Sequence, residues 1–403
     1  GDRAVLDYSL RFDNCRMRAD EIRINPDEVR AGVEATDSAL YGTIERAAAR
    51  IRRFHEEQLR QAGDYTLEMG PGENTEMRVR PLDTVGIYVP GGTAPLPSSV
   101  LMNAIPARVA GVRRLVMATP PQPDGVSPAI LAAAHIAGVD EIYQVGGAQA
   151  VAALAFGTET IPACDKICGP GNIYVNAAKR LVYGQVDIDF FAGPSEILIV
   201  ADGGANPEWV AADLLGQAEH DRLASAVVLT DSPELAASVQ AEALRQAAAN
   251  PRRAILEASL QNYAAVVVCA DLGQAMDLAN RLAPEHLELC VAPDREQELL
   301  DRVTNAGSVF VGYTTAEPLG DYFAGPNHVL PTSGSARYAS PLNVNDFLKK
   351  TSVIRFDQAA LERHAEDVMR FACAEGLYAH ARSVAVRLSP ASGAMEKGGG
   401  ADE

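Results

Sequence analysis

Positive charge is scarce in this chain: 35 Lys and Arg face 53 Asp and Glu, for a net charge of -18 over 403 residues. The cations are dispersed, whereas a phosphate backbone is bound by clustered ones, so the composition argues against nucleic acid as a partner. Cysteine is also sparse. Of the six, Cys15, Cys164, Cys168, Cys269, Cys290 and Cys373, only one pair is close, and its spacing is C-x-x-x-C. That pattern is neither a disulfide framework nor a thiolate zinc site. No apolar run approaches the roughly 20 residues that span a bilayer, and the first residues carry charges where a signal sequence would have an apolar block. These absences lead to the expectation of a soluble protein in a reducing, cytoplasmic compartment. H-E-x-x-H, zinc-finger spacing, a Ser-His-Asp elbow and G-x-G-x-x-G are missing as well.

What is present is ordinary globular material, 47% hydrophobic and long enough for two domains. Up to about Arg60, segments such as "TIERAAARIRRFHEEQLRQ" have the spacing of exposed amphipathic helices. From "VGIYVPGG" the chain alternates short β-branched runs with glycine and Ala-rich helical segments, as in "RRLVMAT" and "DEIYQVGGAQAVAALAFG". Such alternation predicts βα units on a parallel sheet. After "AGPSEILIVADGG" it starts again, with no residue-level repeat between the blocks. From about Pro341 the sequence reads as helical and charged, and after Arg387 "LSPASGAMEKGGGADE" has the composition of a disordered tail.

Four stretches could carry chemistry. In "LLGQAEHD", Asn206-Pro207 upstream starts a helix that brings Val210, Leu214, Gln217 and His220 toward one face. Either a buried polar helix end or a metal site with one amide and one imidazole ligand fits that pattern. "RLAPEHLELC" sets Glu285 beside His286 just after a proline, which fits a helix first turn with a favourable acid and equally a pair serving two reaction steps. "PLGDYFAGPNHVLPT" is forced into an irregular loop by its Gly and Pro residues, and there Asp321 and His328 have no core to satisfy. "EGLYAHARS" adds Glu375 and His380 on a late helix, where solvated polarity is a fair alternative. "YVPGGTAP", "VGGAQA" and "CGPGN" are Gly-rich turns that by themselves do not establish a nucleotide site.

Together with "IYVPGGTAPLPSSVLM", "DKICGPGNIYVNAAKR" and "AGPSEILI", these motifs stand in the order found in histidinol dehydrogenases, and the chain resembles that family from about Gly1 to Arg387. The resemblance implies a zinc-dependent homodimer, one Zn2+ per subunit, that oxidises L-histidinol to L-histidine in two NAD-dependent steps of histidine biosynthesis. It implies Gln217, His220, Asp321 and His380 as zinc ligands and Glu285 and His286 as the acid/base pair. Ser195, His328 and Glu375 match substrate-contacting positions, beside the ligands and the acid/base pair, and Tyr88, Gln149 and Asn172 match those that hold NAD. It also implies that the segment with Glu375 and His380 crosses to the neighbouring subunit.

The expected fold is α/β: two Rossmann-like parallel-sheet domains, the second inserted in the first, with helical N- and C-terminal extensions. The boundaries are placed at 1–87 plus 196–343 for the first domain, 88–195 for the NAD side, and 344–403 for a helical dimerisation segment. The match begins within a segment that family members precede with further residues, so an N-terminal truncation is expected. "LEMGPGENTEMRVRPL" departs from the usual pattern, as does Gly216 where a serine is usual, which is expected to loosen that helix. Two rival readings are a related zinc/NAD dehydrogenase of another small amino or sulfonated alcohol, and a zinc hydrolase.

Overall fold

The computed structural model describes residues 1–91, 95–191 and 193–388. The C-terminal tail from Ser389 lies outside them. The chain divides into two compact units, one of residues 1–61 and 81–348, the other of residues 62–80 and 349–403.

The first unit opens with helices α1 (Asp2–Phe12), α2 (Pro26–Ala35) and α3 (Ser38–Gln61). The hairpin of β1 (Tyr65–Gly70) and β2 (Glu73–Pro81) that follows belongs mainly to the second unit. Then come β3 (Thr84–Tyr88), α4 (Pro97–Ala110), β4 (Arg114–Thr119), α5 (Pro128–Ala137), β5 (Glu141–Gln144), α6 (Gly147–Phe156), β6 (Lys166–Cys168), α7 (Ile173–Val182) and β7 (Asp187–Ile188). These strands form one five-stranded parallel sheet, ordered β5-β4-β3-β6-β7. Crossover helices cover both faces of such a sheet, so its strands are apolar throughout. Val85 and Ile87 pack with α3 and α4 on one face, and Tyr88 packs with α6 and α7 on the other.

The second sheet repeats the pattern with β8 (Glu196–Ala201), α8 (Pro207–Ala218), β9 (Ser225–Thr230), β10 (Ala264–Val268), β11 (His286–Cys290) and β12 (Ser308–Val311), ordered β10-β9-β8-β11-β12 and parallel throughout. Alternation along β11 sends Leu287 and Leu289 into one apolar cluster, while Cys290 joins the cluster on the α8 side.

Both expected parallel sheets are thus present. The helices before residue 61 pack around the earlier sheet, through Val5 of α1 and Ile44, Ala47, Ala48 and Ile51 of α3. The segment after β12 returns to that core through Val329, Leu342, Val344 and Phe347. The later sheet block is therefore the one bracketed by partners of the earlier sheet. Burial of those apolar side chains decides the grouping, and it is invisible to local periodicity.

The second unit is a three-stranded sheet, β1-β2-β13, with β13 at Leu348–Phe356, followed by two mutually packed helices, Gln358–Ala374 and Tyr378–Leu388. The chain beyond Pro341 is accordingly not all helical. Its sheet is mostly exposed, so β13 shows no apolar alternation. Arg363 and His364 both reach the Glu73 carboxylate, His364 at 2.7 Å, tying helix to hairpin within this unit.

Candidate active site

The first unit holds a cavity of about 190 Å³ lined by Ser195, Gln217, His220, Glu285, His286, Asp321 and His328, and also by Leu96, Ser98, Gly169, Pro170 and Asp189. All seven of the former are expected site residues, drawn from four separate stretches. Glu375 and His380 belong to the second unit, where both are exposed.

Local structure corrects two expectations and bears on a third position. Helix α8 stops at Ala218, so Gln217 sits in its last turn and His220 lies just past the end, its N–H donating to the Gln217 carbonyl at 3.2 Å. Glu285 and His286 do not start a helix. They enter strand β11, where adjacent side chains point to opposite faces. Gly216, finally, has open space where a Cβ would go, so that glycine is not demanded by crowding.

Asp321 lies in a single irregular turn, Gly320–Ala324, with π-type hydrogen bonding. The following loop is anchored by buried Asn327, whose amide donates to the Met102 carbonyl at 2.7 Å and whose oxygen accepts from the Val329 N–H at 2.8 Å. That anchor sets His328, whose Nδ1 lies 3.0 Å from the Asp321 carbonyl and 3.7 Å from its carboxylate.

His286 is central. Its Nδ1 lies 3.2 Å from the Glu196 carbonyl, an acceptor only, so this nitrogen carries the proton and Nε2 is left free. Nε2 is 3.6 Å from Glu317 Oε1 and 3.7 Å from Asp321 Oδ1. Glu285 Oε2 accepts from the Glu196 N–H at 2.9 Å and lies 3.8 Å from His286 Nδ1. Burial pushes the Glu285 carboxyl up to about 7, opposed by the neighbouring imidazole. Burial also disfavours charge on His286, but Asp321, Glu285 and Glu317 overcome it and raise the imidazole to about 9. Glu317 is pushed up to about 8, chiefly by burial. Asp321 goes the other way: burial opposes its charge, yet the His328 and His286 imidazoles hold it well below the usual carboxylate range.

Sequence reasoning missed Glu317. It is 3% exposed, with Oε1 unpartnered, and its N–H donates to Glu288 Oε1 at 2.8 Å. Its position one turn before Asp321 was the available signal. Glu288 was missed too, although a carboxylate between Leu287 and Leu289 is conspicuous once that stretch is read as a strand.

The donor set fits a cation. Both amide atoms of Gln217, 1% exposed, lack partners, as do His286 Nε2 and Glu317 Oε1. Buried polar atoms rarely go unpartnered, and here they accompany an excess of carboxylates around one imidazole. His286, Glu317 and Asp321 each offer an atom within 4.8 Å of the others. His220 stands outside that set.

The residues matched to NAD positions lie elsewhere, at the carboxyl edge of the first sheet. The Tyr88 hydroxyl accepts from the Gly147 N–H at 3.1 Å, Gln149 donates to Asp13 at 3.4 Å, and Asn172 caps α7 by accepting from the N–H groups of Tyr174 and Val175 at 3.0 and 3.1 Å. None of the three lines the 190 Å³ cavity. A neighbouring hollow of about 250 Å³ lies at the ends of β3 and β4, lined by Pro90, Gly91, Thr119, Pro120, Gln122 and Ser127 among others.

A family model described as Histidinol dehydrogenase matches residues 1–388. The chain is similar to the histidinol dehydrogenase of Geobacillus kaustophilus, 52% identical over 389 residues, which are 96% of this chain and 90% of that protein. It is also similar to that of Bacillus subtilis, 51% identical over 388 residues with the same two shares. Among solved structures, the histidinol dehydrogenase of Elizabethkingia anophelis matches with a TM-score of 0.91 at 39% identity, over 96% of this chain and 88% of that one. An NAD-dependent aldehyde dehydrogenase of Sinorhizobium meliloti, at 12% identity and a TM-score of 0.50 over 82% and 87% of the two chains, shares the fold alone.

Proposed function

The chain belongs to the histidinol dehydrogenase family, and from that premise we propose that it oxidises L-histidinol to L-histidine through L-histidinaldehyde, reducing two NAD, with Zn2+ as cofactor. The observation that carries the reading is the meeting of seven expected side chains on one cavity, where the Gln217 amide and His286 Nε2 are buried without partners.

Gln217, His220 and Asp321 would hold the metal, completed by His380 of a neighbouring subunit. When bound, the metal would grip the amino and imidazole nitrogens of histidinol and set its alcohol carbon toward the nicotinamide. His286 accepts the alcohol proton at Nε2, because Nδ1 is engaged by Glu196. With Asp321 committed to a cation, less negative charge remains to keep His286 protonated, and the imidazole becomes available as a base. Glu285, raised to about 7, can hold a proton or take one near neutrality, which suits activation of the water that hydrates the aldehyde. Ser195 and His328 line the same cavity and would contact substrate.

NAD would lie at the carboxyl edge of the first sheet. Strand order reverses between β3 and β6, and ligands of open α/β sheets bind at such switch points. Tyr88, Gln149 and Asn172 stand at that edge, and the cavity-lining loop at Gly169 and Pro170 leaves β6 there.

A homodimer in the cytoplasm completes the proposal. In the second unit Ile354, Phe371 and Tyr378 are 68%, 72% and 71% exposed, apolar surface of the kind a subunit contact covers. No helix among the described residues is long and apolar enough to cross a membrane.

The test is NADH absorbance on mixing protein, NAD and a panel of amino alcohols. NADH with histidinol alone supports the reading. Turnover of a different alcohol only, or none with any, overturns it. The shared site is tested separately by mixing His220→Ala with His380→Ala under subunit exchange. Activity should return toward about a quarter of wild type, because half the dimers are mixed and half their sites are intact. No recovery in demonstrated heterodimers removes the crossing segment.

A further inference from the structure

Lys179 and Asp189 form the most deeply buried ion pair among the described residues, each side chain 1% exposed, and no step above uses them. Such a pair is a weak source of stability, because desolvating both charges offsets their attraction, so its presence asks for another reason. Its partners supply one. Lys179 Nζ donates to the Gly169 carbonyl at 3.1 Å, and Asp189 Oδ2 accepts from the Gly169 N–H at 2.7 Å. The Asp189 carboxylate also meets Lys179 and accepts from the Phe190 N–H at 2.7 Å. One peptide residue is therefore held at both its polar groups by the two charges, one from α7 and one just after β7.

Gly169 is not an arbitrary place to hold. Its φ is +111°, and a Cβ there would stand 2.1 Å from the Tyr88 carbonyl oxygen, so the chain leaves β6 pressed against the end of β3. Pro170 follows, with no N–H to donate, and sheet hydrogen bonding has ended. Gly169, Pro170 and Asp189 all line the main cavity.

We propose that the Lys179–Asp189 pair is a clamp that positions the 169–172 loop for the nicotinamide dinucleotide. Both are positioning residues, acting through Gly169. The inference rests on the cofactor placement proposed above. It adds a requirement: the loop must be rigid before the cofactor arrives, since an unclamped loop would lose ordering entropy on binding.

The experiment is an NADH fluorescence titration of the full chain, with amide hydrogen exchange of the 166–172 segment as a second measurement. In Lys179→Met the NADH dissociation constant should rise roughly ten- to a hundredfold, the scale of a loop displaced by an ångström. Exchange at Gly169 should accelerate. If the lone Asp189 charge prevents folding, the double variant Lys179→Met/Asp189→Asn removes both charges and keeps an acceptor for the Gly169 N–H. It should fold and still bind NADH weakly, because the Gly169 carbonyl has lost its donor. NADH affinity within about twofold of wild type in either folded variant overturns the clamp. A wild-type chain that binds histidinol but no NADH overturns the cofactor placement itself, a separate failure.

Discussion

In the first sheet the strands run β5-β4-β3-β6-β7 and in the second β10-β9-β8-β11-β12, so each places its earliest strand in the middle and reverses direction beside it. They use opposite edges. The first presents residues that follow its strands, Gly169 and Pro170 after β6 and Asp189 after β7, whereas the second presents residues that precede or open its strands, Ser195 before β8 and Glu285 and His286 at β11. The carboxyl edge of the second sheet is occupied otherwise: Asp202 there accepts from the N–H groups of Gly204 and Ala292 and from the Tyr313 hydroxyl. The difference teaches that one topology can supply two electrostatic environments. Helices leaving carboxyl edges offer N termini, which favour anions such as a pyrophosphate. Helices arriving at amino edges offer C termini, which favour cations, and Gln217 lies in the last turn of α8.

Breaking the second sheet's edge should therefore spare the first. His286→Ala is expected to lower kcat for histidinol by roughly a hundredfold or more with NADH affinity intact, as measured by turnover alongside fluorescence titration. Loss of both together would mean that the two edges are not independent.

Beneath that edge, Glu288 faces Asp213 of α8. Burial raises Asp213 to about 6 and Glu288 well above the usual carboxylate range. A carboxyl whose folded pKa is raised contributes stability that is fully present below the unfolded value and lost as pH rises through the folded one. Thermal unfolding should accordingly show about 2 kcal/mol lost between about pH 4 and pH 6. Asp213→Asn, which does not titrate, should flatten that slope, and an unchanged slope would separate the pair from the stability of the second sheet.

Glu317→Gln sharpens the contrast within the amino edge. Removing a carboxylate 3.6 Å from His286 Nε2 disfavours the imidazolium. The acid limb of the kcat/KM profile should move to lower pH, with turnover reduced about tenfold. A profile that stays in place would leave Glu317 without influence on the base. The smallest effect is expected at Gly216, where a Cβ meets open space within α8. Gly216→Ala should stabilise by about 0.5–1 kcal/mol through helix propensity and leave turnover alone, seen as a slightly higher melting temperature.

Much of the architecture was legible because βα units write themselves locally. Apolar runs such as "RLVMAT" and "EILIVA" are buried on both faces, and no other local structure suits them as well. The exposed strands were not legible. "LKKTSVIRF" has no buried face to impose a period, so β13 read as part of a charged helical segment. The hairpin at "MGPGEN" left only its turn residues as a trace.

For the site, the amino-acid sequence by itself determined a short list of candidates, which one cavity of the fold gathers. Gln217, His220, Glu285, His286, Asp321 and His328 could be named because their motifs are contiguous and long. Tertiary structure alone decided what surrounds them. Glu317 and Glu288 matter through distances of a few ångströms to groups on other elements, and Lys179 and Asp189 matter because both reach one glycine. Local sequence records propensity and period over a turn or two of chain. Desolvation and charge pairing depend on what packs across from a residue, and that is settled only when the apolar faces of both sheets find their helices.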